Sequence, residues 1–125
     1  MTMNETPMGA QSSEARGAFA ALFHALAEPT RLALLEHLAS GEHRVRDLVD
    51  HMHLAQSTVS KHLACLRDCG LVTVRAEGRA SWFSLTDPVG LAALLGDADG
   101  LLTASGATVS LRDHEDHTGL VAEGL

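Results

Sequence analysis

Two short amphipathic segments lie only a few residues apart between Val45 and Gly70, and this spacing constrains the fold more than any other feature. Val45, Leu48, Val49 and Met52 mark one helix. After His53-Leu54 a second helix is expected from about Gln56 to Cys69, with Gly70 as its left-handed stop. At ~100° per residue, Val59, Leu63 and Leu66 fall on one stripe of that helix, while Ser57, Lys61 and Ala64 fall opposite. Beyond Gly70, LVTVRA and ASWFSL are extended-type runs around Glu77-Gly78-Arg79, which reads as a β-hairpin. Helix, turn, helix, hairpin is the order of a winged helix-turn-helix, so the fold class expected is mainly α with a small β-hairpin.

The flanks fit one domain. The chain has 125 residues, enough for a single core and too few for a two-domain enzyme. Residues 1–12 lack periodicity and read as a flexible arm. Phe19, Leu22, Phe23 and Leu26 indicate a helix over about 13–27, capped by Ser12 or Ser13. Pro29 opens a second helix through Leu32, Leu35 and Leu38, and Asp87-Pro88 opens a last one to about Leu102. The expected domain is 13–105, followed by a flexible acidic tail over 106–125 that contains histidines.

Net charge is −7, which taken over the whole chain speaks against a nucleic-acid partner. By segment it reads otherwise: residues 44–80 hold six basic and four acidic side chains, and the remainder three basic and twelve acidic. A modestly positive reading head on an acidic body permits DNA binding with strong salt dependence. Gln56, Ser57, Thr58, Ser60 and Lys61 on the polar face can hydrogen-bond to phosphates and base edges, and Arg75 and Arg79 flank the hairpin turn. No apolar run reaches the ~20 residues of a membrane span, and no Ser-His-Asp order, phosphate loop or paired carboxylate stands in a pocket-forming context. The reading is therefore a non-enzyme with no membrane partner and no organic cofactor.

AEPTRLALLEHL, VRDLVDHMHLAQSTVSKHLACLRDCGLV and EGRASWFSL together resemble the ArsR/SmtB family of bacterial metalloregulatory repressors over about residues 19–95. The resemblance implies a homodimer, with first and last helices packed across the two-fold axis, that binds operator DNA until an inducer arrives; two cysteines that form no secreted disulfide framework, and no signal-peptide order at the start, make a reducing cytoplasm the expected location. Two sites of the family are missing. Arg44-Val45-Arg46 stands where a Cys-Val-Cys segment would bind metal, and Val89, Gly100 and Thr103 replace ligands of a last-helix zinc site.

Cys65 and Cys69 are similar to the pattern of the cadmium- and lead-sensing CmtR-like branch. Residues i and i+4 bring their Cβ atoms to ~6 Å, so two thiolates can share a soft ion such as Cd, Pb or Zn. Cys65 is expected beside the groove-facing polar residues and Cys69 at the flank of the apolar stripe. That branch takes a third thiolate from the partner's C-terminal region, where this chain has Ser110; His114, Asp116 and His117 lie just beyond and are candidate ligands. The remaining histidines are scattered and unassigned. Two other readings stay open: a thiol-redox or persulfide-responsive repressor, and an interaction domain that has lost DNA binding.

Overall fold

A computed structural model describes residues 8–106, with side chains from Ser12 onward. The elements run α1 (Met8–Leu26), α2 (Pro29–Leu38), β1 (His43–Arg44), α3 (Val45–Met52), α4 (Gln56–Asp68), β2 (Val72–Glu77), β3 (Ala80–Leu85) and α5 (Pro88–Ala104). Contacts divide the chain into a unit ending at Thr86 and another beginning at Asp87.

In the first unit, α2 is the central post. Pro29 sits in its first turn, where a missing N–H costs nothing, and the Glu28 carboxylate accepts from the Arg31 N–H at 2.9 Å. Leu34, Leu35 and Leu38 of α2 are buried together with Ala25, Leu48, Val59, Leu63, Leu66, Val72 and Leu85. The core is aliphatic because the chain has only four aromatic residues, three Phe and one Trp, and Phe19 and Phe23 face outward.

Three features depart from expectation. Helix α1 begins at Met8, so residues 8–12 belong to the helix and not to an arm, and Ser12 and Ser13 lie inside it. Met8, Ala10 and Gln11 are good helix formers whose contribution outweighs Gly9. The hairpin carries a third strand: β1 pairs antiparallel with β3, with His43 opposite Phe83 and Arg44 opposite Trp82, giving the order β1-β3-β2. Two residues are too few to show an alternation, so β1 is invisible as a pattern. α1 also leaves Phe19 and Phe23 stacked at 6.4 Å and exposed at 60% and 51%, where the helical spacing alone suggested a core face.

The second unit is α5. Asp87 caps it, its carboxylate accepting from the Gly90 N–H at 2.9 Å, and Pro88 occupies the first turn as the sequence suggested. Leu101 is 73% exposed.

Candidate functional site: a reading helix, a wing and a thiol pair

The turn between α3 and α4 spans only residues 53–55. It is closed by His53, which takes φ 56° and donates its N–H to the Val49 carbonyl at 2.8 Å. A left-handed residue is the usual way to end a helix, and histidine is among the side chains that tolerate it. α4 then buries Val59, Leu63 and Leu66, while Gln56, Ser57, Lys61 and Ala64 are exposed and Thr58 and Ser60 half-buried. This is the division of faces read from the sequence. No side chain caps the start of α4, where Ala55 is the N-cap, so its first N–H groups face outward without a protein acceptor from that cap. At the other end Gly70 has φ 81°, and its N–H and that of Leu71 donate to the carbonyls of Arg67 and Leu66, both at 2.9 Å, in a Schellman arrangement.

α4 is tied to the body through Arg31. Its guanidinium donates to the Ala25 carbonyl at 2.6 Å and the His24 carbonyl at 3.0 Å, closing the end of α1, and lies 3.3 Å from His62 Nδ1. A guanidinium has no acceptor, so His62 accepts at Nδ1 and carries its proton on Nε2, which points to Glu28 at 3.9 Å.

The wing turns at Gly78-Arg79. Gly78 is the first of the two loop residues with φ 62°, which places Arg79 at the tip. Arg79 and Lys61 are exposed and have no ion-pair partner among the described residues. Arg75, expected beside them, is engaged elsewhere. It grips the Glu42 carboxylate with two bonds of 2.8 and 2.9 Å, donates to Glu77 at 2.8 Å and lies 5.8 Å from the centre of the Trp82 ring. These contacts hold the Glu42 carboxyl below its ordinary pKa and raise that of Arg75. Arg75 is thus a brace between β2 and the segment before β1, with three of its five donors already used. Across the central strand β3 from Arg75, Arg44 lies 5.2 Å from the Trp82 ring centre, and both its backbone N–H and its guanidinium donate to Asp47, lowering that carboxyl's pKa.

Cys65 lies in the last part of α4 and Cys69 is its C-cap; both are free thiols. Their covering is the reverse of the expectation, with Cys65 half-buried and Cys69 exposed. The Cys69 pKa is raised, chiefly by partial desolvation, then by the charge and hydrogen bond of the Cys65 thiol and by Asp68, with Arg31 pulling it down. Among the described residues no group of three or more His, Cys, Asp or Glu could hold a metal ion, and Cys65 and Cys69 are two soft donors four positions apart. His114, Asp116 and His117 lie outside the described residues.

Sequence reasoning missed two groupings. His37 stacks on His51 with ring centres 5.6 Å apart, and His43 meets His51 edge-on at 5.8 Å, joining three histidines from α2, β1 and α3. Arg46, the second residue of α3, is an exposed cation with no ion-pair partner among the described residues. Neither carries a local signal, since both depend on how α3 meets the sheet.

Residues 28–74 match the model for the bacterial regulatory protein arsR family. A probable mercury resistance operon repressor of Streptomyces lividans is 45% identical over 69 residues, which cover 55% of each chain. The transcriptional regulator CmtR of Mycobacterium bovis is 46% identical over 70 residues, 56% of this chain and 59% of that one. This chain thus spans little more than half the length of these curated relatives. Among solved structures, a homodimeric winged helix-turn-helix DNA-binding domain from Mycobacterium bovis, a possible ArsR-family transcriptional regulator, superposes with TM-score 0.65 at 29% identity over 70% of this chain and 83% of that one. The reading helix, the wing and the paired thiols at the helix end belong to a winged helix-turn-helix protein of the ArsR family of bacterial regulators.

Proposed function

We propose that the protein is a homodimeric transcriptional repressor that holds operator DNA through α4 and the wing, and releases it when a soft metal ion binds Cys65 and Cys69. The observation that carries the reading is the location of both thiols at the end of the helix whose polar face and uncapped start are open. Gln56, Ser57, Thr58, Ser60 and Lys61 would contact the groove and its phosphates, and Arg79 the flanking backbone. Arg75 would support the wing from behind. The exposed Phe19-Phe23 pair of α1 and Leu101 of α5 are apolar surfaces that a second copy would cover.

The donor chemistry suits Cd, Pb or Zn, which favour thiolate. Cys65 and Cys69 would hold the ion, and His114, Asp116 and His117 of the tail are the candidates to complete it. Bound there, the ion would act as a charge and a crosslink and not as a reagent.

A gel shift on the DNA upstream of the protein's own gene, with and without Cd(II), tests the proposal. Retarded DNA that is freed by Cd(II) in wild type, and stays retarded in Cys65→Ser and Cys69→Ser, is the expected result. Equal release from all three proteins would exclude the thiol pair as the sensor.

A further inference from the structure

A cleft of about 400 Å³ lies between the start of α3 and the wing. Three arginines line it, Arg44, Arg46 and Arg79, with Ala80 and Ser81 beside them. Arg44 is committed to Asp47, but Arg46 and Arg79 reach the cleft with no carboxylate partner among the described residues. Guanidinium groups gathered around a concave surface without a counter-ion focus a positive potential there. The small side chain of Ala80 and the Ser81 hydroxyl leave room and a further donor.

Arg46 also lines a second cleft, of about 310 Å³, with Val49, Asp50 and Gln56. Arg46 is therefore common to both clefts, one of them lined by Arg79 of the wing and the other by Gln56, the first residue of α4. The Asp50 carboxylate in that second cleft opposes an anion, whereas no acidic residue lines the first. This difference decides where the charge complementarity lies.

The geometry points to a seat for one backbone phosphate of duplex DNA in the first cleft, donated to by Arg46 and Arg79, with Arg46 as the residue that registers α4 against the strand. The assignment rests on the proposed repressor reading and extends it to a contact from the first helix of the pair. The occupant is a polymer phosphate and not a free oxyanion because Arg46 joins this cleft to the start of the reading helix, so a strand followed by α4 passes it. Two planar forks on one phosphate fix its position as well as its charge.

Fluorescence anisotropy with a labelled duplex from the upstream DNA, measured over a salt series, tests this. Arg46→Ala is expected to weaken binding about five- to tenfold and to reduce the salt slope by about 0.9. The Arg46→Ala/Arg79→Ala double variant should lose less than the product of the single losses, because both act on one phosphate. A duplex series with single phosphates replaced by neutral methylphosphonate supplies an arm that needs no variant. One position per half-site should cost wild type at least the Arg46→Ala loss, cost Arg46→Ala less, and add nothing in the Arg46→Ala/Arg79→Ala double variant. Wild-type affinity and slope in Arg46→Ala, alongside impaired Lys61→Ala, would overturn the proposal while leaving the repressor reading intact. Competition by inorganic phosphate beyond chloride of matched ionic strength, with no sensitive methylphosphonate position, would assign the cleft to a free oxyanion and overturn it equally. Wild-type protein that holds the upstream duplex no tighter than a scrambled one would overturn the repressor reading, and this seat with it.

Discussion

Replacing Arg31 by alanine removes three donors at once from the point where α1, α2 and α4 meet. Two of them serve helix-end carbonyls, Ala25 at 2.6 Å and His24 at 3.0 Å, where a cation also complements the α1 dipole; the third, at 3.3 Å, holds His62. Hydrogen bonds to a charged group are worth about 1.5–3 kcal/mol each when both partners are shielded. The His24 contact is exposed and the His62 contact long, so both are discounted and the expected total is about 2–3 kcal/mol. For a domain of this size that lowers the melting temperature by roughly 10 °C. Urea unfolding at one fixed protein concentration is the appropriate assay, since a dimer's apparent stability moves with concentration. Arg31→Lys should recover less than half of the loss, because an ammonium cannot serve two carbonyls and an imidazole in one plane. A cost for Arg31→Ala below about 0.5 kcal/mol, the range of an ordinary surface change, would refute the view that this residue fastens the reading helix to the body.

Four further outcomes are expected. Gly78→Ala should lower stability by about 1–2 kcal/mol in thermal melts, since a side chain at φ 62° is strained, and should weaken DNA binding through a displaced wing tip. Lys61→Ala should weaken duplex binding and reduce the salt slope by about 1 with an unchanged melting temperature, as its side chain is exposed and unpaired among the described residues. Cd(II) affinity should fall as pH is lowered from 8 to 6: the Cys69 pKa is raised, so binding must release the thiol proton, and that release becomes less favourable as the proton concentration rises. A titration that is flat with pH would show that Cys69 is not a ligand. Truncation after Thr108 should weaken Cd(II) binding in isothermal titration while leaving duplex affinity nearly unchanged, because it removes His114, Asp116 and His117; equal affinity and stoichiometry would remove the tail from the site.

Elements whose signals are local could be read from the chain. Pro29, Gly70, Gly78 and Asp87-Pro88 punctuate where periodicity and capping chemistry say they should, and the stripe of Val59, Leu63 and Leu66 fixed which face of α4 is open. What depends on distant partners could not. Arg75 meets a carboxylate 33 positions away, so nothing around it distinguished a brace from a phosphate contact. β1 exists because β3 offers it a partner, and the three histidines meet only where α2, β1 and α3 converge, although they are 6 to 14 positions apart in the chain. The order of covering at Cys65 and Cys69 went against expectation because α4 ends at Asp68, which turns Cys69 off the helix surface into its cap.

His62 is the seventh of the thirteen residues of α4, six from Gln56 and six from Asp68, and it is held there by Arg31 beside the buried Leu63. The helix is therefore fastened near its middle, with Gln56 at one end, Cys69 just past the other and Cys65 within one turn of the fastening. Each arm is about 9 Å long, so a tilt of only about 5° moves its end by about 0.8 Å. Good hydrogen bonds occupy a window of about 0.5 Å in donor–acceptor distance, so even this small a rocking motion would put the tip of the helix out of register with any bases that the proposed contacts reach. If α4 reads DNA as proposed, a fastening at the midpoint would pass a displacement at Cys69 to Gln56 with the opposite sense.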